Sequence, residues 1–324
     1  MVGGGSWATA LVKVLNENHN EVDWWIRSPK IIDHLRSKHH NPDYISSVNF
    51  SPELISPSVN LEEVISKNEI IFLAVPSAFL KTVIGKLPPD HFKNKLIVSA
   101  IKGMIPDENL LIAEYLEKYF KVDAGNIVNI SGPSHAEEVA LEKLSYLTMA
   151  CINTDNADRT CEILSCEYVR CTSSDDVYGT EYAAVLKNIY AITAGVFHGL
   201  NYGDNFHAVL ISNCIEEMER FLKAVHPITR DIKDSAYLGD LLVTAYSQFS
   251  RNRTLGTMIG KGYSVKNALL EMNMVAEGYY ASKCIHEVNK KFNVRMPIAE
   301  STYTVLHENG IASDEMKEVT DVIS

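Results

Sequence analysis

Between Tyr178 and Gly195 the chain runs without proline for about four helical turns, long enough to predict a helix. From Tyr182 to Phe197 nearly every side of that helix is apolar. A helix that is hydrophobic all round belongs in the middle of a large protein. Lys187 and Asn188 nevertheless stand at its centre, and the residues one turn from Lys187 are Ala183, Ala184 and Ala191. Small neighbours leave room around a long cationic side chain. An ammonium desolvated in this way has its pKa drawn towards neutrality unless an acid supports it. Such a lysine can give and take a proton at working pH. The alternative is a lysine that reaches water along its own stem.

The two halves of the chain differ in period. In the first half, apolar runs at 22–26, 69–75, 96–101 and 126–130 alternate with helical patterns at 61–67, 110–119 and 136–141. Two short strand patterns follow at 146–151 and 168–171. Strands alternating with helices predict an α/β domain with a doubly wound, mostly parallel sheet of the Rossmann type. The runs end in small or polar residues, which is where such sheets bind ligands. After the polar stretch 171–176 strand signals nearly vanish, and helical patterns occupy 182–197, 206–224, 239–249, 276–293 and 297–308. The expectation is a dinucleotide-binding domain over 1–174 and an all-helical substrate and catalytic domain over 175–324.

Gly3, Gly5 and Ala8 fit the G-x-G-x-x-G/A turn that sets a dinucleotide pyrophosphate on a helix N-terminus. Ser6 is a plausible cap, and Ala10, Leu11, Val14 and Leu15 continue at helical spacing. Only Met1 and Val2 precede the turn, whereas the motif needs a full strand there, so several more apolar residues are expected upstream in the native protein. Asp23 lies near the start of its strand, away from the carboxyl end where a ribose would sit, and Arg27 and Lys30 occupy that end. An arginine there accommodates a 2′-phosphate, which favours NADPH/NADP while leaving NADH/NAD open.

A net charge of −11 argues against a general nucleic-acid or anionic-membrane surface. Any anionic ligand must therefore be held by a few placed cations and backbone amides. No apolar run approaches the ~18 residues that span a bilayer, and no secretory signal is visible. The six cysteines include Cys161, Cys166 and Cys171, whose spacing does not suit zinc; they are expected to be buried, reduced thiols of a cytosolic protein. His135, His198 and His207 show no metal-ligand spacing, and no metal is expected.

Several segments, in this order and spacing, resemble the bacterial form of the NAD(P)-dependent glycerol-3-phosphate dehydrogenase family. They are the glycine turn through Leu11, Ala74-Val-Pro-Ser77, Ile101-Lys-Gly103, Ser131-Gly-Pro-Ser134, Leu186-Lys-Asn188, Gly239-Asp-Leu241 with Thr244, Ser250-Arg-Asn252 and Glu277-Gly278. The resemblance covers Gly3 to about Leu306. It implies that Lys187 is the proton donor and acceptor with Asp240 beside it, and that Lys102 and Thr244 complete the polar pocket. It further implies that Gly132, Ser134, Ser250, Arg251 and Asn252 hold glycerol 3-phosphate. Ser6, Trp7, Arg27, Ala136, Val275 and Glu277 would touch the dinucleotide with Gly3 and Gly5, and Lys102 and Arg251 would lie near both ligands. A cytosolic homodimer supplying the phospholipid backbone is implied as well. Asn213-Cys214 departs from the family's common Arg-Gly, and His207 is at an unusual place.

The residues support that chemistry on their own terms. Reducing a ketone needs a placed hydride, an acid at the oxygen and a grip on the rest of the substrate. Asp240 and Thr244, four apart, share one helix face, where a carboxylate could orient the Lys187 ammonium. The segment 250–256 reads as a loop offering two guanidinium groups, a hydroxyl and a carboxamide, with Arg251 suited to phosphate and Arg253 to an exposed ion pair. A related two-domain hydroxy-acid dehydrogenase would share the sheet, the helical domain and the lysine but not require Ser250-Arg-Asn252. A non-catalytic dinucleotide sensor would need neither Lys187 nor Asp240.

Overall fold

The structure is a computed structural model that describes residues 1–272 and 274–323. Two compact units are present: Met1–Ile101 with Ile112–Val177, and Lys102–Leu111 with Tyr178–Ser324. The second unit thus takes in a short segment that lies, in sequence, between parts of the first.

The first unit alternates helices and strands. In order they are Ser6–Glu17 (α1), Val22–Trp25 (β1), Pro29–Lys38 (α2), Ile55–Ser58 (β2), Leu61–Lys67 (α3), Ile70–Leu73 (β3), Ser77–Ile84 (α4) and Leu96–Ser99 (β4). Ile112–Phe120 (α5), Ile127–Ser131 (β5), Ala136–Ala140 (α6), Ser145–Ala150 (β6), Thr154–Leu164 (α7) and Val169–Ser174 (β7) complete it. β1 pairs with β2, and β3 to β7 lie side by side in chain order. All pairings are parallel except β5 with β6. Val2 bridges to both Trp25 and Leu73, so the residues before the glycine turn lie between β1 and β3. β4 and β5 are buried along their whole length, as strands covered on both faces must be, and this explains why both are mainly apolar, with Asn129 a buried polar exception in β5.

Some elements of this unit leave weak traces in the pattern. β2 holds Pro57 and pairs only with β1; proline is tolerated at such an edge because no ladder donor is needed there. α2 and α7 were also outside the expected set. Ser6 is not the cap of α1: Gly5 holds that position with extended backbone, and Ser6 is the first helical residue.

The second unit comprises Val177–Gly199 (α8), Asp204–Val225 (α9), Asp240–Tyr246 (α10), Arg251–Gly260 (α11), Val265–Glu271 (α12), Glu277–Phe292 (α13), Pro297–His307 (α14) and Ala312–Val322 (α15). α8 is its axis. Val185, Leu186, Ile189, Tyr190, Ile192 and Phe197 are wholly inaccessible and pack against Leu210, Phe221, Leu255, Ile285 and Val319 from the surrounding helices. Each such side chain contributes roughly 1.5–3 kcal/mol on burial, which is ample reason for α8 to run through the centre. Across the unit, the Glu217 carboxylate on α9 accepts hydrogen bonds from the Ile298 and Ala299 amides (2.9 and 3.0 Å) and so caps α14. Burial pushes its pKa up to about 7 despite those two bonds.

The 250–256 segment, expected as a loop, is instead a cap and the first turns of α11. The Ser250 hydroxyl accepts from the Arg253 amide at 3.3 Å. α11 lies backbone against backbone on α8. A β-carbon on Gly256 would sit 2.0 Å from the Ile192 carbonyl oxygen, and one on Gly195 would sit 2.2 Å from that of Arg253. Only glycine permits this approach, and it fixes where the first turn of α11 falls. Helix propensity alone predicts that Gly256→Ala stabilises the protein by about 1 kcal/mol. The contact predicts the opposite sign, a loss of roughly 1–3 kcal/mol from overpacking. Urea unfolding of the variant decides: a lower midpoint is expected, and an unchanged or higher one would show that the helices do not touch here.

Candidate active site

Three elements of the helical unit bring charge together. Lys187 lies midway along α8, Asp240 opens α10 directly after a single π-helical turn, Ser235–Gly239, and Lys102 begins the short segment joined to this unit. Asp240 is 1% exposed and Lys187 4%, so the lysine head does not escape to water along its stem. The Lys187 ammonium donates to Oδ1 of Asp240, and Lys102 Nζ donates to Oδ2 at 3.1 Å. One carboxylate therefore serves two cations, each on its own oxygen.

The electrostatics follow from that arrangement. Burial lowers the Lys187 pKa to about 7; the Asp240 charge opposes this, and the Lys102 charge adds to it. Burial alone would raise the Asp240 carboxyl, but Lys102 and Lys187 together outweigh it and hold it below the usual carboxylate range. Asp240 thus stays charged while Lys187 titrates near neutrality. Thr244 is one turn further along α10, its hydroxyl donating to the Asp240 carbonyl at 2.6 Å.

A chain of amides frames the cluster. Asn188 Nδ2 donates to the Lys102 carbonyl at 2.8 Å, and Asn188 Oδ1 accepts from Asn252 Nδ2 at 2.9 Å. Asn252 Oδ1 in turn accepts from the Gly278 amide at 2.9 Å. These bonds tie the Lys102 segment to α8, α11 and α13. Of the other residues singled out in this unit, Ser250 is buried as the α11 cap, and Arg251 is half-buried on its first turn. Glu277 opens α13, and Val275 is half-buried just before it.

In the other unit, the glycine turn is built for close approach. Gly3 has φ +131°, and a β-carbon there would lie 2.3 Å from the Ala74 carbonyl oxygen. Trp24 Nε1 donates to the Gly3 carbonyl (2.6 Å) and Asn41 Nδ2 to that of Gly4 (3.1 Å), which pins the turn. α1 starts with no side-chain cap, leaving its first amides directed at whatever lies beyond the turn, and Trp7 Nε1 is buried without a hydrogen-bond partner. This is the donor set a pyrophosphate requires, so the residues present fit a dinucleotide. Asp23 is engaged elsewhere, accepting from Asn68 Nδ2 at 2.8 Å, whereas Arg27 is exposed between β1 and α2. Gly132, with φ +99°, and Ser134 lie between β5 and α6, and Ala136 begins α6.

Sequence patterns pointed to the charged residues but not to the groups that hold them. Trp24 and Asn41 carried no visible signal. Asn188 did, as a polar residue in an otherwise apolar helix, yet its partners lie 86 and 64 residues away in sequence.

Comparison with known proteins places this geometry. Residues 1–157 match the N-terminal part of NAD-dependent glycerol-3-phosphate dehydrogenase, and residues 176–317 match its C-terminal part. The chain is 36% identical to the glycerol-3-phosphate dehydrogenase [NAD(P)+] of an Exiguobacterium strain over 98% of its own length and 94% of the relative's. It is 36% identical to the Bacillus subtilis enzyme of the same name, over 94% of this chain and 89% of that one. The solved structure of glycerol-3-phosphate dehydrogenase from Coxiella burnetii superposes with a TM-score of 0.91 at 28% identity, covering 98% of this chain and 97% of that one. The chain belongs to the NAD(P)-dependent glycerol-3-phosphate dehydrogenase family.

Proposed function

We propose that this protein interconverts dihydroxyacetone phosphate and sn-glycerol 3-phosphate, with Lys187 as the group that moves the proton. The observation that carries this is the buried Lys187–Asp240–Lys102 cluster, in which a lysine of pKa about 7 is held against a carboxylate whose own pKa the two cations lower. NAD(P)H, when bound, supplies the hydride. Gly3, Gly5, Ser6, Trp7 and Arg27, with Ala136, Val275 and Glu277, would hold it, and Lys102 and Arg251 would serve both ligands.

As the ketone carbon is reduced, the Lys187 ammonium donates its proton to the carbonyl oxygen, and in the oxidation direction neutral Lys187 takes it back. Asp240 keeps the ammonium aimed and Lys102 keeps Asp240 ionised. Thr244, bonded to the Asp240 carbonyl one turn along α10, would complete the polar surroundings of the pair. The phosphate would be gripped by Arg251, whose guanidinium can bind it through two parallel charged hydrogen bonds, aided by Ser250 and Asn252 at the start of α11 and by Gly132 and Ser134. Asn252 already spends its carboxamide oxygen on Gly278, so only an N–H remains for a ligand. Arg27, beyond the carboxyl end of β1, favours NADPH over NADH.

The test is the initial rate of absorbance loss at the nicotinamide band. Dihydroxyacetone phosphate should be reduced, and unphosphorylated dihydroxyacetone scarcely at all, because binding energy at the phosphate helps orient the reacting carbon. Lys187→Met should lower turnover by at least ~10²-fold with NADPH binding intact; Lys102 still pairs Asp240 in that variant, so folding is not put at risk. Arg251→Ala should depress turnover as well as affinity. Arg27→Ala should narrow a preference for NADPH. Equal specificity constants for the two ketones, or full turnover in a folded Lys187→Met variant, would overturn the assignment. The family also implies a cytosolic homodimer, and light scattering should return twice the 36.1 kDa chain mass; a monomer at assay concentration would remove that part.

A further inference from the structure

Two histidines lie against each other where α2 ends. The helix stops at His39, which takes a left-handed backbone, φ +62°, with its amide on the Leu35 carbonyl. That turn folds the next residue back towards the helix it has just left, so His40 meets His34, six residues earlier. Their Nε2 atoms are 3.0 Å apart, and the rings stand edge to face with 4.6 Å between centroids. Both residues are half-buried, so solvent reaches the pair.

The position of His40 is fixed from both sides. The Phe50 amide donates to the His39 carbonyl at 2.7 Å. On the other side, Asn41 Nδ2 donates to the Gly4 carbonyl at 3.1 Å and to Thr9 Oγ1 at 2.9 Å. His40 Nδ1 itself lies 3.0 Å from the Lys38 carbonyl. A carbonyl can only accept, which assigns the ring hydrogen to Nδ1 and leaves the Nε2 of the neutral ring with a lone pair facing His34.

We propose that His34 and His40 form a chelating site for a divalent transition metal of tetragonal preference, Ni²⁺ or Cu²⁺. The ion takes the place of the one hydrogen shared between the two Nε2 atoms. His34 then carries its hydrogen on Nδ1, both Nε2 lone pairs are free, and no net proton is released. A histidine whose second nitrogen donates to a backbone carbonyl is oriented, and made more basic, as metal ligands usually are.

The spacing selects the geometry. Two metal–nitrogen bonds of about 2.0–2.1 Å at roughly a right angle hold their nitrogens about 2.9 Å apart, whereas a tetrahedral angle needs about 3.3–3.4 Å. A small rotation of the two rings turns their facing lone pairs onto a common ion. No third His, Cys, Asp or Glu completes the set among the described residues, so water fills the remaining positions and the ion exchanges. Once bound, it clamps the end of α2 to the segment that pins the glycine turn through Asn41. No metal was expected from the spacing of His135, His198 and His207, and none of them takes part. A spacing of six belongs to no regular element; the turn at His39 is what closes it.

The test is calorimetric titration of untagged full-length protein with Ni²⁺ and, separately, Zn²⁺. Wild type should bind one Ni²⁺ per chain in the micromolar range and more tightly than Zn²⁺. Either His34→Gln or His40→Gln should weaken Ni²⁺ binding by at least ~10-fold, while His39→Gln should leave it unchanged. Neither residue of the pair is assigned to substrate or cofactor, so both variants should stay folded and active without metal. A second reading is thermal unfolding: Ni²⁺ should raise the midpoint of wild type and of His39→Gln but not of the pair variants. Binding that survives in either pair variant, loss of binding in His39→Gln, or tighter binding of Zn²⁺ than of Ni²⁺ would each overturn the proposal.

Discussion

An ammonium and a carboxylate lie side by side at the centre of a helical bundle, and much of the surrounding structure answers to that fact. Removing two such ions from water carries a penalty of several kcal/mol each, and their attraction offsets it only where geometry is good and the spare lone pairs are used. Asp240 meets both conditions, since Lys187 takes one oxygen and Lys102 the other. Two cations on one anion also leave the cluster with surplus positive charge whenever Lys187 is protonated. In a protein of net charge −11, this is a local reversal of the overall field and suits a phosphorylated ketone acquiring negative charge on its oxygen.

The frame around the pair is made of close contacts between backbones. Glycines at 195, 199, 256 and 260 let α8 and α11 touch. Gly278 does the same for α13, where a β-carbon would lie 2.5 Å from the Asn188 carbonyl oxygen. The amide chain from Lys102 through Asn188 and Asn252 to Gly278 then sets the turn of each helix relative to its neighbour. Rigid elements locked in this way can hold a proton donor to the tolerance that catalysis requires. Glu217 contributes from further out by capping α14 with a buried carboxylate.

How much of this could be read from residues alone depended on the range of the interaction. β3, β4 and β5 were legible because strands covered on both faces must be mainly apolar, and α8 because an all-apolar helix has few other places to go. α11 was not: its first turn is polar and its short apolar stripe, Leu255, Met258 and Ile259, is interrupted by Gly256, while Ser250 caps it and glycines dock it. β2 was hidden by Pro57 and its four-residue length. Lys187 stood out as a charge in an apolar helix. Its partner is 53 residues away, a distance that spacing cannot bridge, and Lys102 comes from a segment whose local pattern belongs to the sheet. Cys161, Cys166 and Cys171 were expected to be buried and are only partly so, because they belong to the α7–β7 unit at the edge of the sheet.

The central claim is that a lysine poised near neutrality moves the proton, and its pH dependence tests this most directly in both directions of the reaction. Reduction needs Lys187 protonated, so its specificity constant should fall as pH rises through about 7; oxidation needs the neutral amine and should rise over the same range. Asp240 raises the Lys187 pKa, so Asp240→Asn should move both breaks to lower pH. Opposed limbs crossing near pH 7 and shifting together in the variant are the expected result. Profiles that stay flat between about pH 5 and 9 in both directions, or breaks that Asp240→Asn leaves in place, would contradict the account.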